Sequence, residues 1–432
     1  MSRLTRSRGL WNIGLKNKAQ GVNRNMQNFT LPWRAWFGDK PINIFFPEHW
    51  PVEKLSMQDA PALSKGEIAT ALMHAIAAPA LTQLAQNKRR VVIAIDDLSR
   101  PTPSGEILPI LLARLQENGI RLEQISIVIS LGSHSALTPE QIKLKVGHEV
   151  AQHVRVENHD CNRNLIDTGI KLGQTPVLLN RTFAEADLKI LLGSVVPHAF
   201  AGFSGGAKMV LPGLSNIESI EWTHKAVLLG LRGKAGTLED NRFRAEFERV
   251  ARHAGVQFSI NVVVNSRREI AGLFAGDIEA AHRQAAQFAR QVYATTLPTA
   301  PLEVAICNAY PKDDELLQAE NAFMFHHTAP VNYLKEDGLF LLTSACSLGM
   351  GHHGLFGPGQ RLHRPPRRKS FLGNRHVAGF MPGVSAEEFY QVYWEGYPHF
   401  QTWEATLEFL QQRYPNGAHV GILPCSSIQI AA

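Results

Sequence analysis

The sequence predicts an α/β fold, with two α/β domains on mainly parallel sheets and an active site in the cleft between them. Three observations carry this. The chain has 432 residues, more than one ordinary core accommodates. Short continuous apolar runs alternate with stretches of helical periodicity, as in strands covered on both faces by crossover helices. The alternation breaks at Leu297-Pro298-Thr299-Ala300-Pro301, which reads as a linker. The chain therefore divides into a basic, flexible extension over 1–30, a first domain over 31–297 and a second over 298–432.

In chain order, Val91–Ile95 is five consecutive apolar residues and reads as a fully buried strand. It runs into Asp96-Asp97-Leu98-Ser99-Arg100-Pro101. Ile107, Leu108, Ile110, Leu111, Leu112 and Leu115 then suit the buried face of a helix. Ile125–Leu131 is the next strand and ends at Gly132-Ser133-His134. Leu188–Leu192 follows, ending at Gly193 and leading to His198, and Ser259–Val264 is a later strand of the same unit. Past the linker, Val304–Cys307, Leu339–Thr343 and Val420–Leu423 read as strands of the second unit. Residues 354–375, rich in Gly, Pro and Arg, read as an exposed loop.

Composition narrows the class. Hydrophobic residues make up 44% and charged residues 19%, as in ordinary globular proteins. No run approaches the length of a membrane span. The net charge of +6 invites a nucleic-acid reading, but Arg3, Arg6, Arg8, Lys16, Lys18 and Arg24 account for it. The rest of the chain holds 38 basic and 38 acidic residues and is formally neutral. Cys161, Cys307, Cys346 and Cys425 are far apart, without the spacing of a zinc knuckle or a disulfide framework. Reduced thiols and a cytoplasmic location are the expectation, with neither nucleic acid nor membrane as a partner.

Asp97 and Arg100, then His134, then His198 each follow the carboxyl end of a predicted strand. In open parallel sheets that edge is where ligands bind, so these residues are expected to converge. Between His198 and Lys208 lies Gly202-Phe203-Ser204-Gly205-Gly206-Ala207. Such glycines let backbone amides approach an anion, and the lysine adds charge. Walker-loop spacing is absent, and taken alone the segment is better explained as a structural turn. Taken alone, His224 is an ordinary surface or core histidine. Asp97 could orient a neighbouring histidine or cap its loop. His326-His327 and His352-His353, as neighbours in strands, would point apart. Trp394 and Trp403 suit the core, and Asp313-Asp314 with Glu315 a solvated loop.

The ordered series changes the weighting. Gly202-Phe203-Ser204-Gly205-Gly206-Ala207-Lys208, then Leu211-Pro212-Gly213 and His224, resembles the signature of nickel-pincer lactate racemases. Asp97-Leu98-Ser99-Arg100-Pro101 resembles that family's Asp-x-Thr/Ser-Arg-Pro loop, and Gly132-Ser133-His134 its Gly-Thr-His segment. Phe274-Ala275-Gly276-Asp277 and the region from Pro311 to Gln318 also match. The resemblance covers about residues 40–345 and thins beyond.

It implies a racemase or epimerase of a 2-hydroxy acid that works by transient hydride transfer. The cofactor would be a pyridinium-3,5-bisthiocarboxylic acid mononucleotide carrying nickel, joined covalently to Lys208. His224 would be the protein's ligand to nickel, and Gly205 and Gly206 would cradle the group. His134 and His198 would be the acid–base pair, suited by a pKa near neutrality. Arg100 would hold the substrate carboxylate by its planar fork, with Asp97 and Gln318 beside it. Cofactor-maturation proteins would be partners.

Two departures bear on substrate. Ser135 follows His134 where the family usually has Arg, and Asn321 stands where lactate-type enzymes have Lys. Both remove positive charge, which favours a larger or differently substituted 2-hydroxy acid. Two rival readings remain. One is a metal-dependent hydrolase with His134, His198 and His224 as ligands. The other is a non-catalytic binder of an anionic metabolite through Arg100 and the Gly202–Lys208 loop.

Overall fold

A computed structural model, which describes residues 25–228 and 233–432, contains two six-stranded sheets. The first runs in the order Ile270–Gly276, Phe258–Val264, Leu188–Ser194, Val91–Ile95, Ile125–Ile129, Arg155–Asn158. All neighbours are parallel except the first pair. Val91–Ile95 is buried along its whole length, which is why its sequence is continuously apolar. Its Val91, Ile93 and Ile95 pack with the helix Ser104–Glu117 through Ile107, Leu108, Leu111 and Leu115. Val92 and Ala94 face the opposite layer, with Leu211, Phe243 and Phe247.

The second sheet is parallel throughout, in the order His399–Phe400, His376–Phe380, Leu334–Thr343, Leu302–Asn308, Val420–Leu423, Val52–Lys54. Every strand expected from the sequence is present, within a few residues of its expected ends.

The amino-terminal segment departs from expectation. Much of the extension expected over 1–30 lies outside the described residues, but Met26–Leu31 is a strand, paired antiparallel with Ile42–Pro47. Leu31, Trp33, Ile44, Phe46 and Trp50 then pack against Val304, Ile306, Val420 and Trp403 of the second unit. Val52–Lys54 completes that unit's sheet. Met26–Leu31, Ile42–Pro47 and Val52–Lys54 thus pack with the second unit, while Ala35 and Trp36 between them pack with Val195, Val196 and Val263 of the first. Periodicity marks a strand but not its pairing partner, and this pairing is long-range.

Trp403 is buried and donates from Nε1 to the Phe45 carbonyl, and Trp394 packs on the second core, as expected. His326-His327 lies on a short helix rather than a strand, packed against Phe371. Among the described residues no helix is long and apolar enough to cross a membrane.

Candidate active site

Val91–Ile95 lies between Leu188–Ser194 and Ile125–Ile129, so the chain winds away from it in both directions. The carboxyl edge there is the crevice of a doubly wound sheet. The loop that follows is held by buried polar contacts. Lys145 Nζ donates to Asp96 Oδ1 at 2.7 Å and to the Asp97 and Thr102 carbonyls at 2.9 and 3.1 Å. Burial lowers the Lys145 pKa, with Asp96 opposing. Asp96 also accepts from Ser194 N at 3.0 Å and so joins two strand ends. A buried ion pair is tolerated here because its remaining hydrogen-bonding capacity is met.

The histidines of this edge are set in different tautomers by their Nδ1 partners. His134 Nδ1 lies 2.6 Å from Asp97 Oδ2 and donates to it, which leaves a lone pair on Nε2 in the neutral ring. Burial opposes ionisation of Asp97, but His134, Arg100 and Ser99 outweigh it and hold the carboxyl below its usual range. His224 Nδ1 donates to the Ile220 carbonyl at 2.8 Å, so its Nε2 also carries a lone pair. Burial lowers the His224 pKa to about 4. His198 is the reverse case. Its Nδ1 accepts from Phe200 N and Ala201 N at 3.3 and 3.2 Å, which leaves the proton on Nε2. Burial, Lys208 and Arg100 push its pKa well below the normal value.

The glycine loop is tied from behind. Buried Arg244 donates to the carbonyls of Phe203 and Gly205, and His282 Nε2 to that of Ser204. Gly205 and Gly206 have φ of +71° and +54°, which L side chains rarely adopt. Lys208 follows on a short 3-10 turn, Gly206–Met209. Burial, then Arg100, lowers its amine to about 7, so a large share is neutral and nucleophilic near neutrality.

These groups line one cavity of about 290 Å³. Asp97, Arg100, His134 and His198, the four placed at the carboxyl edge, all border it, together with Gly205, Lys208, His224 and Gln318. Gly206 does not. An added Cβ there would lie 2.8 Å from both Arg244 Nη2 and His282 Cδ2, so its part is to let the loop pack. Among the described residues no group of three or more His, Cys, Asp or Glu is placed to hold a metal. The three-histidine hydrolase centre is therefore not assembled, although its residues share the cavity.

The second sheet contributes more than the sequence suggested. Asp313 and Asp314 are buried, not solvated. Asp313 accepts from Arg34 N and Ala35 N, and burial raises its carboxyl to about 6. Glu315 is raised to about 7 by burial, partly opposed by His134. Lys312 is buried, and desolvation with Arg100 and Lys208 drives its pKa well down. Asn321 borders the cavity and donates to Gln318 Oε1 at 3.2 Å, while Ser135 borders a smaller pocket behind His134. The segment expected as an exposed loop begins on the cavity: Leu355 is buried, and Phe356 lines the wall beside His353. His353 was missed because it was read as half of a strand pair. The available signal was its place among glycines after the carboxyl end of Leu334–Thr343.

Comparison with known proteins gives a consistent result. The model of the lactate racemase N-terminal domain matches residues 37–235. A lactate racemase of Lactiplantibacillus plantarum is 32% identical over 283 residues, 64% of this chain and 65% of its own. One from Thermoanaerobacterium thermosaccharolyticum is 30% identical over 291 residues, 66% of this chain and 67% of its own. The matched stretch thus spans about two thirds of each relative. In fold, the lactate racemase apoprotein of T. thermosaccharolyticum superposes with a TM-score of 0.71 at 22% identity, covering 94% of this chain and all of that one. A Thermotoga maritima protein gives 0.65 at 17% identity, covering 87% of this chain and 99% of its own.

Proposed function

The chain belongs to the lactate racemase family, and from that premise we propose that it racemises or epimerises a 2-hydroxy acid by transient hydride transfer. The observation that carries this reading is the gathering of Arg100, His134, His198, Lys208 and His224 around one cavity. Fit to a nickel-pincer cofactor can be judged on two of them. Lys208 has an amine lowered to about 7, as a group that must form a covalent link requires. His224 has its Nδ1 occupied by Ile220 and its Nε2 lone pair available, which suits a single imidazole ligand to nickel. A pincer that fills the other positions asks the protein for no more. When bound, that group supplies an electrophilic ring that accepts the α-hydrogen as hydride and returns it.

The residues of the chain do the rest. Arg100 is anchored through Nη1 to Ser99 and offers its remaining donors to the substrate carboxylate. His134 takes the 2-hydroxyl proton on Nε2, and Asp97 stabilises the imidazolium that results. His198 would donate from Nε2–H to the oxygen of the turned keto acid, and as the hydride returns that proton completes the product hydroxyl while the His134 imidazolium restores the His198 proton through water in the cavity. The enantiomer that faces His134 can be deprotonated at once. The one that faces His198 needs that ring to exchange its tautomer first.

The test is intact mass and nickel analysis of protein matured with the family's cofactor-assembly proteins, with chiral chromatography of added 2-hydroxy acids. An adduct on Lys208, about one nickel per chain and inversion of the acid are expected. An unmodified Lys208 and unchanged enantiomers would leave anion binding by Arg100 and the glycine loop as the better reading.

A further inference from the structure

His353 is assigned no part by the reading above, yet it lines the cavity. Its backbone forms an isolated antiparallel bridge with His134, and Gly354 N donates to the Ser133 carbonyl at 2.8 Å. Its ring lies edge-on to both His134 and His224, with centroids 5.2 and 5.5 Å away. Its Nδ1 accepts from Leu355 N at 3.2 Å, with Ser133 Oγ at 3.4 Å. That acceptor role leaves the ring proton on Nε2, which has no hydrogen-bond partner among the described residues. Gln318 is in a similar state: its Oε1 is taken by Asn321, and its Nε2 is unpaired among the described residues. Both residues border the cavity, and neither donor has an acceptor among the described residues.

Lactate leaves the His353 donor unused. Its carboxylate is met by Arg100 with Gln318 beside it, its hydroxyl by His134, and its third carbon is a methyl group. A donor enclosed against a methyl loses its hydrogen bond to water and gains none. A hydroxyl on the third carbon would satisfy it. Resting on the racemase reading, we propose that His353 is a specificity residue whose Nε2–H donates to a 3-hydroxyl, so that the preferred substrates are 2,3-dihydroxy acids. The chain's departure at Asn321 agrees, since it puts a neutral polar group on the cavity wall where lactate-type enzymes have Lys.

The experiment compares kcat/KM for 2,3-dihydroxypropanoate and lactate in cofactor-loaded wild type, His353→Phe and His353→Gln. Wild type is expected to favour the dihydroxy acid. The ratio should fall by roughly tenfold in His353→Phe, the worth of one neutral hydrogen bond, and recover in part in His353→Gln, which restores a donor. Separately, ¹⁵N spectra of histidine-labelled protein should show the His353 ring in the Nε2–H form, shifted more by the dihydroxy acid than by lactate. A wild type that favours lactate, an unchanged ratio, or equal loss of both acids in His353→Phe would overturn the specificity role alone. A wild type that inverts neither acid, nor any other 2-hydroxy acid, would overturn the racemase reading and this one with it.

Discussion

His134 Nδ1 lies 2.6 Å from Asp97 Oδ2, and that contact determines which nitrogen of His134 can act as a base. The carboxylate is fully used: it also accepts from Ser99 N and Oγ. In Asp97→Asn the negative charge that favours the imidazolium is lost while the side chain keeps its size. We expect kcat of the loaded enzyme to fall by about 10²–10⁴-fold with little change in KM or melting temperature. Steady-state kinetics with a thermal melt on the same sample checks this.

The Lys208 amine is lowered to about 7 by burial and by Arg100. It is mostly protonated below that pH and mostly neutral above it. In the cofactor-free protein, acylation of Lys208 followed by peptide mass should therefore rise through pH 7, three units below an ordinary surface lysine. Arg100→Met removes a positive neighbour, so its labelling curve should move to higher pH. A wild-type curve centred near 10 would count against the buried setting.

Gly206 combines φ of +54° with two side-chain atoms 2.8 Å from any added Cβ. Gly119 also has positive φ, +85°, but open space around it. Gly206→Ala should cost on the order of 2–4 kcal/mol, since strain adds to displacement of Arg244 and His282. Gly119→Ala should cost about 1 kcal/mol. Denaturant unfolding of the two variants separates backbone strain from packing.

His159 donates from Nε2 to the Ser215 carbonyl at 3.0 Å, while its Nδ1 is buried without a partner among the described residues. Charging the ring would place a proton on that nitrogen, and burial lowers its pKa from 6.5 to about 4. Between those values the unfolded chain binds the proton and the folded one does not. Stability from this residue is thus present above pH 6.5 and lost as pH falls towards 4, by on the order of 3 kcal/mol. His159→Gln should flatten the stability profile over that window in unfolding experiments.

The buried strands were legible because their signals are local: continuous apolar runs such as Val91–Ile95 arise only where both faces are covered. The positions of Asp97, His134 and His198 followed from the same logic, since a parallel sheet brings its carboxyl ends to one edge. Lys208 and His224 came from the ordered motif, because taken singly their surroundings in sequence are unremarkable in charge or periodicity.

Asp313, Asp314 and Glu315 read as solvent-facing because three successive acids usually are, yet Asp313 and Asp314 are buried and Glu315 is partly covered. Local patterns specify the alternation of strand and helix and the side chains that end strands. Long-range packing places Val52–Lys54 in the far sheet, packs Gly206 behind the loop and turns His353 towards His134 and His224. The difference is one of range. Periodicity and turn chemistry act over a few residues, whereas the pairing of Val52–Lys54 with Val420–Leu423 and the approach of His353 to His134 and His224 depend on partners more than a hundred positions away.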